Sequence, residues 1–349
     1  MHALRVMRSL LIASMSVSLI QCSGTAGSHA LPSSNGIAAR RVAGAMDDGG
    51  GCPTYPDGSL AVLDNYYGKI YFFDGPVSGS SSPTATITLP THDDQEIAGM
   101  TFDPSGNLWI AYTASIAGFA GVLEYAAPLT TGESPSIDIS GSNTGFVSPR
   151  AISFNASTSN IYVLDSNSSG AIDVFTDTAD GNVAPSTIIS GSNTGLAYTS
   201  GSIKTDANYI YVPGSSPSYG IKRFNITASG NSYPHDTLLS GSTTVGGQFD
   251  IDTAKDIYSS PGSEMWIYAP VSGYSYSHGQ YDTPSLARGI AVDDSGYIYG
   301  LEGGGDSLYI FSPIDWTSST GTMTTLTVGY QDNALAIFSP GKFSGTEPQ

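Results

Sequence analysis

Short runs of β-branched and aromatic residues, four to seven long, alternate along this chain with clusters of Gly, Asp, Ser, Asn and Pro. Such runs, apolar or alternating and bounded by turn residues, predict strands joined by tight turns. Downstream of the N-terminus no stretch of ten residues holds a helical period, so helices are expected to be nearly absent. The runs also repeat as a four-part phrase. One copy reads GIAVDD, SGYIYGLE, DSLYIFSP and MTTLTV between Gly289 and Val328. A second runs GMTFDPSGNLWIAY, GVLEYAAP and SPSIDIS from Gly99, and a third AISFNASTSNIYVLD, GAIDVFTD and PSTIIS from Ala151. Repeats of this size mean a stack or ring of small units.

Aligning the first strand of each phrase makes Phe102, Phe154, Thr205, Ile251, Val292 and Phe338 equivalent, at steps of 52, 51, 46, 41 and 46 residues. Second strands fall at Leu60–Asp64, Leu108–Tyr112, Ile161–Asp165, Ile210–Gly214, Ile257–Ser260 and Ile298–Glu302, and third strands begin at Ile70, Val122, Ile172, Ile221, Met265 and Leu308. The ends complement one another. The phrase beginning at Gly58 lacks a first strand, while Ala334–Phe338 is a first strand with nothing after it. Pairing them completes a sixth sheet and removes two open edges. The expected fold is therefore all-β: a six-bladed β-propeller of four-stranded blades, closed by a C-terminal inner strand joining the N-terminal blade.

The hairpins FDPSGNLWI (Phe102–Ile110) and VDDSGYIYG (Val292–Gly300), with GNVAPSTIISGSNTG (Gly181–Gly195), resemble NHL-type propellers of bacterial secreted proteins and lipoproteins. The resemblance covers about Pro56 to the C-terminus and implies a fold, not an activity. SIKTDANYIYV and FDIDTAKDIYS, in the fourth and fifth blades, lack its glycine turn.

With 42 Gly, 20 Pro, 21 Tyr and 12% charged residues among 349, the rest of the composition fits a turn-rich globular chain. Residues 1–21 read as a signal peptide: Arg5 and Arg8 precede an apolar stretch too short to span a bilayer. Leu19-Ile20-Gln21-Cys22 resembles the lipobox of bacterial lipoproteins, which implies lipidation at Cys22 and a membrane-anchored envelope protein. The alternative is plain secretion with cleavage near Ser28-His29-Ala30. Residues 22–56, rich in Gly, Ser and Ala, read as a flexible tether, and 57–349 as the propeller. If Cys22 carries lipid, Cys52 is the one thiol left and no disulfide within the chain can form. Losing residues 1–21 removes two arginines and no acid, taking the net charge from −18 to −20. That charge repels phosphate backbones and anionic headgroups, so no nucleic-acid partner is expected, and the membrane is reached only through lipid.

Candidate chemistry falls on the face where inner strands begin and second strands end. Four residues before the aligned positions stand Ala98, Arg150, Gly201, Gly247, Arg288 and Ala334, so the two arginines lie three blades apart. Second strands end there with Asp64, Tyr112, Asp165, Gly214, Ser260 and Glu302. Two readings stay open for Arg150 with Asp165 and Arg288 with Glu302: bridges within a blade that fix strand ends, or a polar mouth that grips an anionic or sugar-like ligand. Tyr66, Tyr67, Phe119 and Tyr219 join Tyr112 as rim aromatics. His92, Asp93, Asp94 and Glu96 form a candidate metal cluster, read more simply as a solvated acidic loop. Gluconolactonase-like propellers bind a divalent cation through Glu, Asn and Asp, which the ring positions here do not supply. His235 and His278 fall between third and fourth strands, on the outer margin, and the SGSNTG segments read as turns. The leading expectation is a non-enzymatic module binding a protein, peptide or glycan at the cell envelope, with no cofactor. The alternative is a metal-dependent lactonase-like hydrolase or lyase using the channel.

Overall fold

Strands that are apolar on both faces must be covered on both faces, and the chain meets this by stacking its sheets side by side. The computed structural model describes residues 55–64, 66–90, 95–114, 120–166, 170–197, 201–214, 220–240, 247–260, 264–270, 277–282, 286, 289–302, 307–313, 323–328 and 332–343. All of them lie in the compact unit Val42–Gln349. Blade 1 has the strand order β24-β1-β2-β3, with β1 Ser59–Asp64, β2 Lys69–Phe73, β3 Ala85–Thr88 and β24 Asp332–Phe338. Blade 2 comprises β4 Gln95–Phe102, β5 Leu108–Ala114, β6 Ala120–Tyr125 and β7 Ile137–Ser140. Blade 3 comprises β8 Pro149–Asn155, β9 Asn160–Asp165, β10 Ala171–Thr176 and β11 Thr187–Ser190. Blade 4 has β12 Lys204–Thr205, β13 Tyr209–Pro213, β14 Ile221–Asn225 and β15 Asp236–Leu238. Blade 5 has β16 Phe249–Ile251, β17 Ile257–Ser259, β18 Glu264–Tyr268 and β19 Ser277–Asp282, and blade 6 has β20 Gly289–Val292, β21 Ile298–Leu301, β22 Ser307–Phe311 and β23 Met323–Thr327. This is the six-bladed propeller expected from the repeats.

Six apolar clusters fill the six blade interfaces. One example packs Trp109 and Val122 of blade 2 on Ile152, Val163 and Phe175 of blade 3. Another sets Leu60 and Val62 of blade 1 against Tyr299 and Leu308 of blade 6, so the ring closes as tightly as it runs. The closing pair is antiparallel, with Leu60 opposite Ile337 and Val62 opposite Leu335. Here the alignment needs a correction. Leu108 faces Phe102 and Ile161 faces Phe154, so the equivalent of those two is Ile337, not Phe338. Phe338 occupies the next position and packs edge-on against Phe102 and Tyr55.

That next position carries an acid or amide in every other blade: Asp103, Asn155, Asp206, Asp252 and Asp293. Each opens the hairpin between inner and second strands. Asp103 accepts from the Ser105 and Asn107 amides and from the Trp109 indole, and Asp293 from the Tyr297 amide and the Tyr299 hydroxyl. In blades 4 and 5 the aromatic donors are the Tyr211 and Tyr258 hydroxyls. A buried aromatic donor is thus matched to a buried carboxylate, leaving neither unpaired. Gly106 and Gly296 take the positive φ the turn demands (86° and 84°), and in blade 5 Lys255 bears it instead at 68°. The missing glycine therefore strains the turn without abolishing it.

The SGSNTG segments are turns, as expected, and also latches. Asn143 and Asn193 each donate a backbone N–H, at 2.7 Å, to the side-chain oxygen of Asn182 and Asn231 in the following blade.

Asp173, on β10, is 4% exposed, and burial with the nearby Asp165 pushes its carboxyl up to about 7. Burial and Asp57 likewise raise Asp293 to about 7 and Asp294 to about 6. Raised acids bind more protons folded than unfolded, so their contribution is whole below the unfolded value near 4 and is lost as pH climbs through 6 to 7. The melting temperature should therefore fall between pH 5 and pH 8. Asp173→Asn should flatten that fall, the single group carrying at most about 4 kcal/mol; calorimetric scans at the two pH values decide it, and an unchanged slope would count against the assignment.

Candidate functional site

Side chains on a strand alternate, so the residue before each aligned inner position turns toward the axis. These six are Thr101, Ser153, Lys204, Asp250, Ala291 and Ala336, and all line one cavity of about 130 Å³ in the central channel. Hairpin residues Asp206, Asp252, Thr253 and Lys255 and the C-terminal turn Pro340–Phe343, through Gly341 and Lys342, shape its mouth. The mouth therefore lies on the face where inner strands end.

Asp250 is the centre of the cavity. It is 1% exposed, and its carboxylate meets the Lys204 ammonium at 3.0 Å and the Lys342 ammonium at 2.6 Å, with the Val292 amide donating to it at 2.8 Å. Burial pushes this carboxyl up, but the two ammonium groups and the hydrogen bonds outweigh it and hold it near 2. Asp206 is similar: burial is offset by the Tyr211 hydroxyl, by Lys255 at 3.1 Å and by two amides, leaving it below the usual carboxylate range. Asp252 differs. Burial prevails over its bonds from the Asp256 amide and the Tyr258 hydroxyl, and its carboxyl lies above the usual range. Ser153 and Thr205 hydroxyls pair at 3.0 Å on the wall.

Toward the other end the channel narrows to a space of about 40 Å³ lined by Gly99, Ala151, Ser202, Gln248, Gly289 and Ala334. Blades touch backbone to backbone there: a Cβ on Gly99 would stand 2.8 Å from the Ala151 Cα, and one on Gly201 would overlap the Gly247 carbonyl.

The residues proposed from sequence lie beyond that constriction. Arg150 sits in a β-bulge, the extra residue between Pro149 opposite Asp165 and Ala151 opposite Leu164. Ala98 and Asn333 fall at the same bulge in blades 2 and 1, so Asn333, not Ala334, is the counterpart of Arg150. Arg150 donates from Nε to the Ser148 hydroxyl, while the buried Asp165 accepts the Val147 and Ser148 amides at 2.9 and 2.6 Å. Asp64 is fully buried and accepts the Tyr67 amide. Glu302 accepts from the Tyr309 hydroxyl at 3.3 Å. Tyr112 is buried, its hydroxyl raised to about 12 chiefly by burial, so its ring is not offered for stacking. Tyr66 and Tyr67 are exposed and meet edge to face. Arg288, His92, Asp93, Asp94, Phe119, Tyr219, Cys22 and Cys52 fall outside the described residues. Of Glu96 the structure gives the backbone, paired with Thr113 in β4. His235 precedes β15 on the outer margin beside Asp236, whereas His278 lies within the fourth strand β19 rather than before it.

Lys204, Asp250, Asp252 and Lys342 were not singled out by sequence. For Lys204 and Asp250 the signal was the departure of the fourth and fifth blades from the repeat, which puts a charge at the axial position where the others have Thr, Ser or Ala. A divalent cation does not fit this donor set. Asp250 is already matched by two ammonium groups and Asp206 by a third, and among the described residues no three His, Cys, Asp or Glu side chains gather as metal ligands.

No protein-family profile matches the chain, and no curated protein matches it in sequence. Solved structures do. The periplasmic gluconolactonase of Pseudomonas aeruginosa superposes with a TM-score of 0.55 at 13% identity, over 80% of this chain and 99% of that one. A protein of unknown function from Bacteroides caccae gives 0.53 at 10% identity, over 81% and 99%. A provisionally assigned 6-phosphogluconolactonase from Bacteroides fragilis gives 0.55 at 13%, over 80% and 98%. At these identities the likeness is one of fold: the chain is a β-propeller among propellers. Two of the three carry names for lactone hydrolysis, and this counts against the leading expectation of a non-enzymatic binding module.

Proposed function

We propose that this chain is an exported lactonase-like hydrolase that opens small hydroxylated cyclic esters in the channel cavity. The observation that carries the reading is Asp250, buried and ionised between Lys204 and Lys342 in the wall of a polar cavity. Hydrolysis of a lactone adds water to the carbonyl carbon, so negative charge grows on the carbonyl oxygen. The Lys204 and Lys342 ammonium groups, pinned in place by Asp250, would stabilise that charge with little reorganisation. Asp252, the cavity carboxylate raised by burial, is the base matched to take the proton from the attacking water. The tetrahedral intermediate then collapses. Its acyl C–O ring bond breaks, the departing ring oxygen recovers the proton from Asp252, and a hydroxy acid leaves. The fold of the two lactonase-named neighbours supports this reading. The divalent ion that gluconolactonase-like enzymes use has no step here, because the donor set does not fit one.

The hairpins Phe102–Ile110 and Val292–Gly300 support placing the chain with NHL-type propellers, and Leu19-Ile20-Gln21-Cys22 supports export with a lipid on Cys22. Proton release from aldonolactones, followed in weak buffer above the spontaneous rate, tests the activity. Lys204→Met should lower kcat by about 10²–10³-fold, with Lys342 still partnering Asp250 to keep the fold. Release no faster than the spontaneous reaction across the aldonolactone panel would overturn the proposal.

A further inference from the structure

We propose that Tyr258 is a positioning residue of the channel site, its hydroxyl fixing the Asp252 carboxylate and setting how readily that group takes a proton. This rests on the hydrolase reading for its consequence but not for its test. Four hairpins carry the same device, an aspartate that accepts from a buried aromatic of the second strand. The pairs are Asp103 with Trp109, Asp206 with Tyr211, Asp252 with Tyr258 and Asp293 with Tyr299. Of these four carboxylates, Asp206 and Asp252 line the cavity. A carboxylate has about four lone-pair positions. Asp103 fills them with the Ser105 and Asn107 amides, the Asn107 side chain and the Trp109 indole. Asp206 fills them with the Asn208 and Tyr209 amides, the Tyr211 hydroxyl and the Lys255 ammonium. Asp252 does not. The Asp256 amide donates to its Oδ1 at 2.8 Å and the Tyr258 hydroxyl to its Oδ2 at 3.1 Å, with the Ala254 amide a weaker third. One position is left for a proton or a ligand, in the wall of the cavity.

The two strong bonds fall on different oxygens, so turning the carboxylate about its terminal torsion breaks both. Tyr258 acts on the site only through Asp252. Its ring is buried against blade 6 and forms no part of the cavity lining. Burial and the charge of Asp252 push its hydroxyl far above the ordinary value, so it stays a donor at every working pH. A donor on the carboxylate favours the charged form, and its removal favours the protonated one. The charges around Asp252 set the baseline on which this acts. Lys342 of the C-terminal turn draws the carboxyl down, while Lys204, Asp206, Asp250 and Lys255 share its cavity. Asp256 stands in its own hairpin, and Asp294 of blade 6 feels its charge. Tyr258→Phe leaves every one of these groups in place and keeps the packed ring.

The test is a carboxyl titration of the whole folded protein, followed by carbon-13 NMR of the aspartate side chains. The Asp252 signal is assigned by its loss in Asp252→Asn. Tyr258→Phe is expected to move the Asp252 midpoint to higher pH. Tyr299→Phe makes the same change one blade on and is expected to leave that midpoint where it was. In lactone hydrolysis, Tyr258→Phe should lower the rate about tenfold on the acid side of the pH rise. Above the rise it should approach the parent rate, with KM unchanged throughout. Tyr299→Phe should lower the melting temperature without moving the profile. An Asp252 midpoint unmoved by Tyr258→Phe overturns the proposal, and so does a rate lowered equally at every pH. The two ideas fail separately. A displaced midpoint in a protein that opens no lactone removes the hydrolase and keeps Tyr258 as the group that governs Asp252, and hydrolysis with a fixed midpoint does the reverse.

Discussion

Asp252→Asn is expected to slow lactone hydrolysis by about 10²–10⁴-fold while leaving the melting temperature close to that of the parent protein. The reason for the first half is proton affinity. Asp206 and Asp250 are held below the ordinary carboxylate range, chiefly by the Tyr211 hydroxyl and Lys255 and by Lys204 and Lys342 respectively, so both are poor bases, whereas burial raises Asp252 above its ordinary value. The reason for the second half is written in the neighbouring blade. Asn155 occupies the same hairpin position in blade 3, where its side-chain oxygen accepts the Thr158 amide at 3.0 Å and its NH₂ donates to the Asp206 carbonyl at 2.7 Å. An asparagine is therefore compatible with this turn. Asp293→Asn is the control: it alters the equivalent hairpin of blade 6, away from the cavity lining, and should leave hydrolysis as it was. The pH profile adds a readout that a structural role would not move. The parent rate should rise with pH through an apparent pKa above the usual carboxylate value, and that limb should vanish in Asp252→Asn. A variant that keeps both the rate and the limb would remove Asp252 from the mechanism.

The ring was legible because its determinants are local and repeated. Most strands announce themselves by a β-branched or aromatic run between turn residues, β19 (Ser277–Asp282) being an exception, and the head and tail lack complementary pieces. The one slip in register, Phe338 for Ile337, has a physical cause. The other inner strands end in an Asp or Asn hairpin that anchors the alignment, whereas β24 runs into Ser339-Pro340 and no second strand comes after it. The site was less legible for a different reason. Apolar positions that face neighbouring blades repeat and can be aligned, but the axial positions one residue earlier hold Thr, Ser, Lys, Asp, Ala and Ala, which share no character. Lys204 and Asp250 are 46 residues apart, and only the contact of blades 4 and 5 makes them partners. Lys342 belongs to no repeat at all. Nor could sequence reveal that neighbouring blade backbones meet at Gly99 and Gly201, since the blades come together only in the folded ring.

Removing β24 and the C-terminal turn, by ending the chain before Asp332, should abolish folding to a soluble monomer. The strand supplies the whole inner edge of blade 1: Ser59 through Asp64 pair with it residue by residue, and all six are fully buried. Leu335, Ile337 and Phe338 pack into the two interfaces that flank this blade. At about 1.5–3 kcal/mol for each buried side chain, their loss amounts to roughly 5–9 kcal/mol, comparable with the 5–15 kcal/mol that typically holds a domain folded. Two further losses push the same way. The edge of β1 is left with unpaired backbone groups flanked by apolar side chains, a template for aggregation. Asp250 also loses Lys342, one of the two cations that let it stay ionised while buried. Phe338→Ala separates packing from edge exposure. It keeps the strand and the lysine while emptying the place where Phe102, Phe338 and Tyr55 meet edge to face. It should cost about 3–5 kcal/mol, measured by urea unfolding with an unchanged m-value. A synthetic peptide spanning Asp332–Phe343, added to the truncated chain during refolding, should restore part of the soluble fraction if closure is the function that was lost. A truncated chain that stays monomeric and melts cooperatively near the parent temperature would mean that the ring does not depend on its borrowed strand.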